Sequence, residues 1–259
     1  DVCSSDLIIK QMVKERRNFW LEFDIRNHFK LGPVKYHNVV ASIKGTKYPD
    51  EYVIISGHLD SYDVATGGID CGTGIGPMME AARMIALSGA KPKRTILFVA
   101  FAGEEFGLLG AKSYVKTHAK ELGKIANLFN RDGGPTPPVG ISVPQAMYDD
   151  FVEVCKPVKE IRADYPFEVK VAKPFKRPTQ SGGTDASVFA VEGVPTFGFN
   201  TQDIKGYNFS YGEIWHTERD LYTKNIPEYQ EHAATVTAVV ALGIANLSKQ
   251  LSREGMHKK

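Results

Sequence analysis

A chain of 259 residues with 42% hydrophobic, 24% charged and 10% aromatic residues has globular composition, which excludes disordered, collagen-like and disulfide-scaffold classes. Thirty-two Lys+Arg against thirty Asp+Glu leave a formal net charge of +2 with no basic block, so the electrostatic footprint of a nucleic-acid binder is missing. The longest uncharged stretch near the C-terminus, 233–248, contains Thr235, Thr237, Gly243 and Asn246 and is too short and too polar to span a bilayer.

Three cysteines, Cys3, Cys71 and Cys155, with no CxxC pair encode neither a disulfide framework nor a thiolate zinc site. The chain starts at Asp1, and its first ten residues lack a basic segment followed by an apolar one; any targeting segment is expected upstream.

In chain order the pattern predicts strands at 38–44 and 52–56, a helix at 76–88, a strand at 95–101, a helix at 108–122 and a strand at 125–130. A helix at 145–156, strands at 168–172 and 195–199 and a long core helix at 227–251, with Pro227 in its first turn, follow. Such alternation predicts an α/β fold of three layers, α/β/α, around a central mixed, mostly parallel sheet. Residues 96–101 are apolar on both faces, as a central strand must be, and a site is expected beyond its C-terminal end. Eight of the fourteen prolines fall between Pro135 and Pro178, where stiff loops are expected to form a pocket rim.

The polar residues that follow these strands carry the chemistry. In Gly57-His58-Leu59-Asp60 the i and i+2 side chains share a face, so Asp60 can orient the His58 imidazole while its other nitrogen binds metal. Alone, such a triplet is as readily a strand-end histidine beside a turn aspartate. The glycine-rich run 67–74 presents Asp70, and Thr73 is a helix-cap candidate. Its glycines are spaced GxGxG and no strand feeds into the turn, which argues against a dinucleotide-binding loop. Glu104 and Glu105 follow the central strand within an apolar and glycine frame, where two adjacent carboxylates need protons or cations to offset their charge. Asp132 ends the next strand, and His216 lies in a later loop, so all converge on one sheet edge.

The ordered set His58-x-Asp60, Asp70-x-Gly72-x-Gly74, Glu104-Glu105, Asp132 and His216-Thr217-x-x-Asp220 resembles the co-catalytic zinc exopeptidases of the M28 peptidase family. The run from Ser181 to Phe189, SGGTDASVF, is most similar to the carboxypeptidase Q-like branch. The resemblance implies a zinc-exopeptidase, phosphorylase/hydrolase-like fold and hydrolysis of short peptides near a free terminus. It further implies two Zn2+ ions per chain, an extracellular or periplasmic location, and a peptide as partner with room for a homodimer. Position by position it implies that His58 and Asp132 bind one ion, Glu105 and His216 the other, and Asp70 both. It makes Glu104 the general acid/base and Asp60 the partner of His58, with Tyr207, Tyr211 and Asp185 as candidates for the substrate or oxyanion. By the same resemblance, 1–35 is a residual upstream segment, 36–252 the catalytic domain and 253–259 a polar tail. Members usually carry Asp or Asn after the bridging aspartate, where this chain has Cys71.

Two other readings differ in chemistry. A glutaminyl cyclase-like acyl transferase works with one zinc, and His58 together with Asp132 argues against it. A non-catalytic binding domain of the same fold loses ligands, whereas every ligand type and the base are present here. No GxSxG elbow supports a serine hydrolase.

Overall fold

The computed structural model describes residues 2–28, 30 and 32–256, with side chains from residue 7 onward. It divides into two compact units, 1–35 and 36–259. The first holds helix α1 (Val2–Lys14), a feature the sequence pattern does not predict. Residues 257–259 of the expected tail, and the side chain of Cys3, lie outside the described residues.

The second unit begins with β1 (Val39–Ile43) and β2 (Tyr48–His58), followed by α2 (Gly72–Leu87), β3 (Arg94–Phe101), α3 (Leu109–Thr117) and β4 (Ile125–Asn130). Then come β5 (Pro138–Val143), α4 (Tyr148–Ile161), β6 (Glu168–Val171), α5 (Ala186–Val191), β7 (Phe199–Thr201), the single turn α6 (Tyr211–Ile214) and α7 (Pro227–Ala245). One ladder runs β1-β3-β2-β4, parallel except for β1, and a second runs β6-β5-β7. Alternating side chains separate two cores. Val53, Ile55, Ile96 and Phe98 pack on the face covered by α2, α4 and α7, whereas Ile54, Val99, Phe101 and Leu128 pack with residues of α3 and α5. This is the α/β/α layering expected.

The strand predicted at 195–199 is displaced. Pro195 has no N–H for a ladder, yet its carbonyl accepts from Leu128 N (2.9 Å), and Asn127 Nδ2 donates to the Phe197 carbonyl (3.1 Å). Residues 195–197 therefore lie along β4, and 199–201 pair with β5, so one segment joins both ladders. The proline-rich stretch is more ordered than its composition suggests, because Pro138 heads β5, the position in a strand where a missing donor costs least. Helix α7 stops at Ala245, and Asn246 Oδ1 accepts from Lys93 N (3.1 Å), which ties the helix end to the start of β3. Residues 253–256 pack on this unit: Arg253 donates to the carbonyls of Leu122, Gly123, Ile125 and Gly193, and Met256 is buried.

Helix α2 begins at Gly72, four residues before the predicted start, because Gly72 and Gly74 serve close approach rather than a loop. A Cβ at Gly74 would stand 2.1 Å from the Arg131 carbonyl oxygen and 2.5 Å from Cys71 Sγ. Thr73 does not cap the helix; its hydroxyl donates to the Ile69 carbonyl at 2.8 Å. Among the described residues no helix is long and apolar enough to cross a membrane. Gly74→Ala, which forces Cβ onto backbone, is expected to destabilise the chain by about 1–3 kcal/mol or more, read as a lower urea midpoint at unchanged slope.

Candidate metal centre

Strands β3, β2 and β4 run parallel side by side, with His58 opposite Phe101 and Ser56 opposite Asn130. Their C-terminal ends therefore deliver His58, the Glu104-Glu105 turn and Asp132 to one edge. His58 is buried; its Nδ1 lies 2.9 Å from the Asp60 carbonyl oxygen, so that nitrogen carries hydrogen and Nε2 faces Asp70 Oδ1 (2.9 Å) and Asp132 Oδ1 (3.4 Å). The expected Asp60–imidazole pairing thus runs through the main chain. The Asp60 carboxylate stands 3.8 Å from Nδ1 and instead accepts the main-chain N–H groups of Glu104 (3.1 Å) and Glu105 (3.2 Å), fixing the acidic turn.

His216 Nε2 lies 2.9 Å from Glu105 Oε2, and its ring stacks on Tyr62 at 4.2 Å. Asp70 lies between the two pairs: single ligand atoms of His58, Asp70 and Glu105 all fall within 4.8 Å of one another, and so do those of His58, Cys71 and Asp132. The other Glu105 oxygen is buried with no hydrogen-bond partner. Three carboxylates and two imidazoles in hard-donor positions, one oxygen orphaned, fit divalent zinc as a set.

Titration reflects this crowding. Burial opposes a charge on His58, but Asp132 and Asp70 outweigh it and raise its pKa well above the ordinary value. Burial raises Asp70 too, yet the bond to His58 leaves it lowered. Burial, with Asp132, Asp185 and Glu105 as neighbouring carboxylates, pushes Glu104 up to about 8. Asp185 is buried, both oxygens unpartnered, and burial pushes it up to about 7.

A cleft of about 520 Å³ opens over this cluster. Tyr211 lines it, and its phenol, close to Asp70, helps to keep that carboxylate ionised. Tyr207 does not: it is exposed and donates to Glu228. Asp185 lies buried and off the wall, and none of the residues 135–178 supplies the rim expected of them; Ser181, Gly182, Gly183 and Trp215 do.

Two positioning residues were given no role by the sequence reading. Asp220 is buried and its two oxygens accept from Ile69 N (2.7 Å) and Asp70 N (3.1 Å), clamping the Asp70 loop; its spacing from His216 was the only signal. Arg131 Nε donates to the Thr73 carbonyl (2.7 Å), and its Nη2 to Gly134 (3.1 Å) and Thr136 (2.9 Å). Pro77, inside α2, lacks the N–H that would bond Thr73, so the guanidinium replaces it. Burial pulls Arg131 down to about 10.

The profile of peptidase family M28 matches residues 38–240. The chain belongs to peptidase family M28. This M28 chain is 32% identical to carboxypeptidase Q of Rattus norvegicus over 231 residues, 87% of this chain and 46% of the relative, and 29% identical to that of Homo sapiens over 221 residues, 83% and 43%. Among solved structures it is similar to a peptidase M28 precursor from Shewanella amazonensis, at TM-score 0.69 and 33% identity over 83% of this chain and 46% of that one. A zinc aminopeptidase from Bacillus subtilis shares the fold at TM-score 0.61 and 21% identity, covering 85% and 53%. The chain thus spans about half the length of the relatives it matches.

Metal-free, the M28 chain is expected to lose stability as pH rises from about 5 to 8. The folded state keeps protons on Glu104 (about 8, against an ordinary 4.5) and Asp185 (about 7, against 3.8) that the unfolded chain releases earlier. His58 acts in the same sense above its ordinary 6.5, because its raised folded value loses stabilisation as pH climbs. Urea midpoints with chelator present should fall across this window, and Glu104→Gln should flatten the slope.

Proposed function

We propose that this chain is the catalytic portion of a two-zinc exopeptidase acting on short peptides near a free terminus. The observation that carries the reading is the convergence of His58, Asp70, Glu105, Asp132 and His216 around one buried carboxylate cluster, with Glu104 adjacent and outside the ligand set. His58 and Asp132 would hold one ion, Glu105 and His216 the other, and Asp70 both. Bound zinc supplies Lewis-acid polarisation of the scissile carbonyl and lowers the pKa of water.

The chain's own groups do the rest. Glu104, held by the Asp60 grip on its N–H, takes a proton from the attacking water and returns it to the leaving amine, work typically worth roughly a hundred- to ten-thousand-fold in rate. The Tyr211 phenol, on the cleft wall, is the donor best placed for the developing oxyanion. An extracellular or periplasmic location goes with this reading, supported by the precursor description of the Shewanella amazonensis relative.

Chelation should abolish hydrolysis of unblocked dipeptides, with zinc or cobalt restoring it, and titration should reach two ions per chain. Glu104→Gln should keep both ions while kcat falls roughly a hundred- to ten-thousand-fold. Turnover unaffected by chelation, or saturation at one ion, would overturn the reading.

A further inference from the structure

We propose that Lys112 is the specificity-determining residue of this cleft: its ammonium binds a carboxylate that the substrate carries beside the scissile bond. The proposal rests on the exopeptidase reading above, because it depends on which charges that reading leaves uncommitted. Asp70, Glu105, Asp132 and His216 are taken as zinc ligands and Glu104 as the proton carrier. Of the described residues lining the cleft, Lys112 is then the one charged side chain left over, and the one Lys or Arg. An ammonium terminus would need an uncommitted carboxylate on the wall. Asp60 grips two backbone N–H groups, and Asp185 is buried off the wall, so neither offers one.

Its placement suits the task. Lys112 sits in the first turn of α3, directly after the Glu104-Glu105 turn, and its N–H donates to the Leu108 carbonyl at 2.9 Å. Residues four apart share a helix face, and Leu108 and Lys112 both line the cleft. Among the described residues Lys112 makes no ion pair and no side-chain hydrogen bond, so its charge is available to a ligand. A compact ammonium on a flexible four-carbon stem can follow carboxylates at more than one distance from the scissile bond. Two sources share this chemistry: the free α-carboxylate that ends the peptide, and an acidic side chain.

Two substrate pairs separate them on the zinc-loaded protein: a dipeptide against its C-terminal amide, and amidated dipeptides ending in Asp against Asn. Wild type should favour the carboxylate-bearing member of one pair in kcat/KM by about tenfold or more, the usual scale for a hydrogen bond to a charged group. Lys112→Met should erase that preference through KM with kcat retained, and Lys112→Arg should keep it. A preference in the first pair assigns the peptide's terminus, and one in the second the side chain. A preference that survives in Lys112→Met, an equal loss on both members of a pair, or a wild type indifferent in both pairs would overturn the proposal. Absence of zinc-dependent turnover on every peptide would instead overturn the exopeptidase reading beneath it.

Discussion

Carboxylates repel one another, and this fold gathers Glu105 and Asp132, just past the ends of β3 and β4, with Asp70 from the loop before α2 and Glu104 beside them, in surroundings that penalise charge. Much of the neighbouring architecture manages that load through other carboxylates and main-chain donors. Asp60 and Asp220 each turn both carboxylate oxygens onto consecutive main-chain N–H groups, at 104–105 and at 69–70. Each thereby fixes a loop that carries a carboxylate of the cluster, Glu105 or Asp70, while its own charge is satisfied by backbone donors. Within the cluster one Glu105 oxygen is left buried and unbonded. Repulsion of this kind is relieved by protons or by cations, and peptidase family M28, to which the chain belongs, includes zinc enzymes.

The edge itself was legible in the sequence because it follows from short-range rules. An apolar run marks the central strand, parallel neighbours end together, and polar residues just past three strand ends must meet. What stayed hidden depends on contacts between distant residues. Gly72 and Gly74 read as loop glycines, but Gly74 is glycine because the Arg131 carbonyl, 57 residues away, occupies the place of its Cβ. Proline density between 135 and 178 read as irregular rim, whereas Pro138 heads a strand and the cleft wall comes from 181–183 and 211–216. Period-two parity put Asp60 on the face of His58, correctly close, but could not show that the main-chain oxygen makes the bond and the carboxylate turns elsewhere.

Position 71 shows how finely the charge load is set. Burial pushes the Cys71 thiol up, so it stays neutral and donates to the Arg131 carbonyl at 3.0 Å. An ionised carboxylate here would lack that donor and would add charge beside His58 and Asp132, the groups whose ligand atoms already crowd within 4.8 Å of Cys71 Sγ. With the thiol in place, residue 131 is gripped through its N–H, its carbonyl and its guanidinium. Its N–H donates to the Ser56 carbonyl (3.0 Å), its carbonyl accepts from Cys71, and its guanidinium spans Thr73, Gly134 and Thr136. The peptide leading into Asp132 is therefore fixed by β2 and by the start of α2, the same helix that follows Asp70. Asp70 and Asp132 are thus held in register by one buried arginine, through contacts made within the chain itself.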